Sequence, residues 1–219
     1  MATEELGPLP AGRHGFSREQ VAHNQRERLI AGLATAVAEH GYNAVTITHI
    51  TKAAHVSRRV FYANFDGKEE CFLAAFEVVA DHVRELGIEA AAGESDWPHQ
   101  AIAVARAVLE FFASEPDLAR LCLVESTSAG PAVAARYRAA VDAAEPFLAK
   151  GREERSASDR KLPDSTEETI LGALASLASR KVAAGEAERL PDLLPDFAEF
   201  ILAPYLGADE AASLSREAA

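Results

Sequence analysis

Beyond residue 16, the apolar positions of this 219-residue chain recur every three or four residues, and no stretch alternates as a half-buried strand would. Ser17-x-x-Gln20 forms a capping-box pattern, and Leu29, Ile30, Leu33, Ala34 and Val37 follow at helical spacing up to a stop at Gly41. Thr46 can cap a short helix through about Ala54, and Ser57 a second through about Asn64. Asp66-x-x-Glu69 then reads as another capping box, opening a long helix with Phe72, Phe76, Val79 and Val83 on its buried stripe. Asp96 and Pro98 start the next helix (Ile102, Ala105, Leu109, Phe112), and Pro116 restarts a short one through Val124. Gly130-Pro131 begins another that runs to about Ala149, with Pro146 kinking or ending it. After a polar loop at 151–164, helices are expected over Thr166–Ala184 and Pro191–Leu206.

The pattern is all-α, and the boundaries follow from it. Residues 1–16 are a flexible N-terminal arm, 17–65 a three-helix head, 66–206 a helical body, and 207–219 a flexible tail. Composition agrees: 48% hydrophobic residues can build a core, and abundant alanine with only 7% aromatics favours helix over sheet.

Charge divides the chain. The net charge of −12 argues against nucleic acid, yet between Arg13 and Lys68 eight Lys/Arg face four acids. From Glu69 onward 28 acids face 14 basic groups. A basic head on an acidic body is an asymmetry that chance clustering or a polyanionic partner for the head could produce. Cys71 and Cys122 are far apart and in no zinc or redox spacing, so both read as small buried hydrophobes of a reducing cytoplasm. No signal peptide and no membrane-spanning run are expected.

The chemistry concentrates between Thr46 and Cys71. Two short helices joined by a tight turn cross steeply, which requires small residues on the first and bulky ones on the second. Ile50, Ala53 and Ala54 supply one set; Val56, Phe61 and Phe65 supply the other. The outer face of the second helix then carries Arg58, Arg59, Tyr62, Ala63 and Asn64, with no acid, as suits a helix entering a major groove.

These residues resemble the DNA-binding motif of the TetR family of transcriptional regulators. The matching features are Gly41-Tyr42, Thr46, the stretch from Ile50 to Ser57, Phe61-Tyr62, Phe65 and Lys68-Glu69. The resemblance is specific over about residues 17–76 and architectural beyond. Two positions depart from it. His55 stands at a turn position where glycine is usual, so a positive φ is expected there. Thr51 replaces a small alanine and should loosen the helix crossing. By position, the resemblance implies that Arg58 and Arg59 read base edges. It implies that Tyr62, Asn64, Thr46, Ser57 and Lys68 lie along the phosphate backbone, and that Ala63 meets a thymine methyl. Arg13, His14 and Arg18 are candidates for the adjacent backbone or minor groove.

The resemblance further implies a C-terminal ligand-binding and dimerisation domain, hence a homodimeric repressor of a palindromic operator, released by a small, largely apolar molecule. Candidate pocket residues are Phe76, Phe111, Phe112 and Leu121, with Cys122, Tyr137, Phe147 and the polar Glu125. A two-fold four-helix bundle would use Ile170, Leu174 and Leu177 with Leu193, Phe197, Phe200 and Ile201. No cofactor, no metal site and no catalytic residue are expected, because the seven histidines form no catalytic or zinc spacing and no phosphate-binding glycine loop occurs. Control by a protein partner instead of a ligand, and a helical enzyme, are the alternatives.

Overall fold

The computed structural model describes residues 17–153 and 161–218, and every regular element in them is helical. The expected arm, with Arg13 and His14, lies outside the described residues, as do 154–160 of the polar loop.

Three helices make the head: α1 (Arg18–His40), α2 (Ile47–Ala53) and α3 (Arg58–Asn64). Their starts are fixed by side chains. Gln20 N–H donates to Ser17 Oγ at 3.1 Å while Ser17 N–H donates to Gln20 Oε1 at 2.8 Å, completing the capping box. Thr46 and Ser57 accept from the backbone of His49 and Val60 in the same manner. Leu29, Leu33 and Val37 of α1 are fully buried with Ile50 of α2 and Phe61 of α3. The α1–α2 crossing is close enough to exclude a side chain, since a methyl group on Gly32 would stand 2.6 Å from the Ala54 nitrogen.

The long helix α4 (Lys68–Ala92) belongs to both halves, packing on α1 and also on the body helices α5 (Trp97–Ser114), α6 (Pro116–Leu123) and α7 (Pro131–Asp142). Its start differs from expectation. The N-cap is Gly67, which shifts the register by one residue and places Glu70, not Glu69, at the third helical position. Glu70 Oε2 therefore accepts the Asp66 N–H, at 2.6 Å, and the Asp66–Glu69 box does not form.

Three further boundaries are corrected. The helix expected up to Ala149 ends at Asp142 and resumes as α8 (Glu145–Ala149), with Pro146 in its first turn, where a missing N–H costs nothing. After α9 (Thr166–Ala183), Pro191 lies inside a 3₁₀ segment, Ala187–Leu193, and α10 (Leu194–Leu206) begins with Pro195 in its first turn. The tail expected to be loose is a helix, α11 (Ala208–Ala218). Gly207, at φ 93°, turns the chain back so that α11 packs along α10, burying Ala211 and Ser215. Ser215 Oγ donates to Pro195 O at 2.8 Å, and Arg106 of α5 donates to Ala218 O at 2.8 Å. The inner face of α11, Ala211, Leu214, Ser215 and Ala218, carries one large apolar side chain, too little to announce itself in sequence.

An ion pair at the buried Glu167 ties the segment before α9 to α9, and through Tyr205 to α10. Glu167 receives Arg152 Nε at 2.8 Å and Nη2 at 2.6 Å, and Tyr205 OH at 2.8 Å. Burial alone would raise the Glu167 carboxyl pKa, but the hydrogen bonds from Arg152 and Tyr205 outweigh it and hold it below the ordinary value. Trp97 packs edge-on against Tyr205 and donates to Phe147 O at 3.0 Å, with its ring filling the space above Gly151.

Candidate nucleic-acid interface

The geometry of α3 begins in the turn before it. Ala54 ends α2, and His55 follows at φ 51°, the left-handed conformation expected at that position. His55 N–H donates to Lys52 O at 3.2 Å and Val56 N–H to Thr51 O at 3.0 Å, the paired bonds of a Schellman ending. Chain direction is thereby reversed within three residues, and Ser57 caps α3 at once. Thr51 is buried, its hydroxyl satisfied by Thr48 O at 3.3 Å.

Inside α3, Phe61 and Phe65 are buried, 5.8 Å apart, and anchor the helix to the head's core. Arg58, Arg59, Tyr62 and Ala63 lie on the opposite, exposed side. Neither arginine has an ion-pair partner among the described residues, and Tyr62 is 51% exposed with its ring edge-on to Phe61. Thr46 and Ser57 are exposed at the N-termini of α2 and α3. The outer side of α3 thus exposes two guanidinium groups and a phenol, with the capping hydroxyl of Ser57 at its start.

Two candidates are placed differently. Lys68 Nζ donates to Tyr42 O at 2.8 Å and Val45 O at 3.2 Å, and sits 4.4 Å above the Tyr42 ring. It braces the α1–α2 turn. Asn64 turns its amide back to Val60 O at 2.8 Å, and Arg26 of α1 reaches the Asn64 carbonyl at 3.4 Å while stacking 4.4 Å over Phe65. Of the other candidates for backbone contact, Arg18 opens α1.

The expected pocket residues lie in the packed interior of the body. Phe76, Phe111, Phe112, Leu121 and Cys122 are buried. Phe76 meets Tyr137 edge-on at 6.3 Å, and Phe111 packs against Phe112 and His82 at about 5 Å. Phe147 lies apart, beside Trp97. Two depressions of about 260 Å³ and 290 Å³ lie elsewhere, the first between Arg106 and Pro195, the second beside Pro146 and Glu168. Glu125 is engaged with the head: its carboxylate accepts Tyr42 N–H at 2.9 Å, pairs with Arg120 at 3.3 Å and lies against Gly41. Burial pushes the Cys71 thiol up to about 12 and the Cys122 thiol higher still, so neither offers a thiolate.

Among the expected dimer residues, Ile170, Leu193, Phe197 and Ile201 are buried within the protomer, whereas Leu174 and Leu177 are half-buried and Phe200 is 61% exposed. No helix among the described residues is long and apolar enough to cross a membrane.

Residues 29–75 match the family model for bacterial regulatory proteins of the tetR family. No curated protein matches the chain in sequence. In fold it is similar to the fatty acid degradation regulator FadR from Bacillus halodurans, with a TM-score of 0.71 at 18% identity over 81% of this chain and 94% of that one. It is also similar to FadR from Bacillus subtilis in complex with stearoyl-CoA, with a TM-score of 0.70 at 16% identity over 83% and 98%. A TetR family transcription regulator from Marinobacter aquaeolei VT8 gives 0.63 at 20% identity over 82% and 97%.

Proposed function

We propose that this chain, a TetR-family transcriptional regulator by its DNA-binding domain and its fold, is a cytoplasmic repressor that binds a palindromic operator as a homodimer and leaves it when an apolar ligand enters the body. The observation that carries the DNA reading is α3 itself: Phe61 and Phe65 hold its inner side while Arg58, Arg59 and Tyr62 stand free on its outer side. A guanidinium can fork onto guanine O6 and N7, and a phenol or hydroxyl can hold a phosphate. Two such helices about 34–36 Å apart would meet successive major grooves. Of the residues expected to pair two protomers, Leu174, Leu177 and Phe200 keep exposed apolar surface on α9 and α10.

Ligand chemistry is supported by the body's interior. Aromatic and aliphatic side chains of α4 to α7 pack there with few polar groups, so an entering molecule must be largely apolar and must spread these helices. The solved Bacillus subtilis FadR holds stearoyl-CoA, whose chain has that character. A route to the head is present in Glu125, because a shift of α6 pulls on the Tyr42 N–H and hence on the α1–α2 turn. The ligand drives release only if it binds the displaced conformation more tightly.

The test is fluorescence anisotropy with a labelled duplex recovered from a random-sequence pool by the wild-type protein. Affinity should fall with salt at a log–log slope of about −0.9 per phosphate neutralised. A flat salt response overturns the DNA reading. Acyl-CoAs of graded chain length, added to the complex, should release the duplex with potency rising with length; indifference to every length removes the acyl-chain reading and leaves the regulator reading standing.

A further inference from the structure

The turn into α3 contains a residue that resists its own conformation. His55 holds φ 51°, where a Cβ crowds the following carbonyl and only glycine rests without strain. Something outside the turn must hold it. Arg28, on α1, is 8% exposed, and its Nη2 donates to Ala54 O at 2.7 Å and to His55 O at 2.8 Å. Arg28 has no carboxylate partner among the described residues; its counter-charge is the C-terminal end of α2, whose last carbonyls point at the guanidinium. One helical turn further along the same face of α1, Gly32 lies against the Ala54 backbone, where no side chain fits. The grip and the close approach are therefore adjacent, and both act on Ala54.

We infer that Arg28 is a positioning residue for DNA binding: by clamping the Ala54 and His55 carbonyls it holds the left-handed turn that His55 resists, and so fixes the angle at which α3 is presented. Buried against the inside of the turn, Arg28 contributes no charge to the DNA surface. The pair is a compensated one, in which an arginine on α1 supplies the constraint that a glycine at position 55 would have made unnecessary. This inference rests on the DNA-binding reading for its functional readout, but not for its structural one.

The test uses the full chain in four forms: wild type, Arg28→Met, His55→Gly and Arg28→Met/His55→Gly. Binding is read by anisotropy on the same selected duplex over a range of salt, and turn mobility by hydrogen exchange of residues 51–65. Arg28→Met should weaken binding about tenfold or more, the scale of losing one charge-assisted hydrogen bond. Its salt slope should equal the wild type's, and exchange across the turn should accelerate. His55→Gly should bind like wild type, and in the double variant it should recover most of what Arg28→Met loses, because the turn no longer needs holding. Three results overturn the inference: wild-type binding by Arg28→Met, a salt slope reduced by about one phosphate, which would make Arg28 a direct DNA contact, or losses that simply add in the double variant. If Arg28→Met does not fold, Arg28→Lys carries the same cycle, since the ammonium keeps the charge and part of the grip. Should no duplex be recovered by the wild type, the DNA reading fails alone, and the exchange data still decide the clamp through the same rescue.

Discussion

Head and body reach the same helical fold by opposite means. In the head, short helices of seven residues cannot stand alone, so polar groups fix the backbone at each junction: Ser17, Thr46 and Ser57 cap, Arg28 clamps, and Lys68 braces. In the body, longer helices share a larger apolar core, and polar ties join element ends around it, as at Glu167, Arg106 and Ser215. A head built from specific bonds presents a rigid face. Apolar contacts in the body are non-directional, whereas the head's junctions are fixed by directional bonds.

Substitutions can break or sharpen this contrast. The largest effect is expected on the outer face of α3. Arg58→Ala/Arg59→Ala should weaken binding to the selected duplex at least about thirtyfold, since each bidentate base contact contributes ~1–3 kcal/mol, and should leave thermal unfolding unchanged because both side chains are exposed. Anisotropy beside calorimetry checks it.

Next comes the close approach in the head. Gly32→Ala places a methyl 2.6 Å from the Ala54 nitrogen, and should cost about 1–3 kcal/mol in a urea titration, the scale of overpacking a tight interface.

In the body, Glu167→Gln should cost a comparable or smaller amount, about 1–2 kcal/mol, as a buried charge-assisted bond is replaced by a neutral one. Here the pH dependence has a definite sign. The folded carboxyl pKa is held below its ordinary value, so its contribution is fully present above the unfolded carboxylate range and is lost as pH falls through the folded pKa. Melting temperatures of wild type and variant should therefore converge in acid and separate toward neutrality. Parallel curves would show that Glu167 acts through packing alone.

The smallest effect has the opposite sign. Gly87→Ala, in the middle of α4, meets only Val104 Cγ1 at 3.6 Å, and should stabilise by roughly 0.5–1 kcal/mol because alanine loses less entropy in a helix. Two helix-interior glycines, one in each region, are thus expected to respond in opposite directions.

Helix periodicity, caps at Ser17, Thr46, Ser57 and Asp96, the inward Phe61 and Phe65 and the positive φ at His55 were all readable along the chain, because each depends on neighbours within a few residues. The start of α4 was misplaced by one residue, since Glu69 and Glu70 offer the same chemistry and only the backbone decides which reaches the N-cap. α11 was missed because its inner face has only Leu214 beside alanine and serine, which gain little from burial alone and become a helix face only when α10 supplies a surface.

What the sequence determined by itself is where helices form and which face of α3 is polar, since both follow from local spacing and local hydrogen bonds. What the tertiary structure decided is the partner of each long polar side chain. Arg28, Lys68 and Glu125 are all charged residues that a sequence leaves free to point anywhere, and they find carbonyls and an amide 26, 26 and 83 residues away. The reason is physical: buried backbone groups at the end of a helix must be satisfied, and which side chain satisfies them depends on a separation in space that no short window of sequence contains.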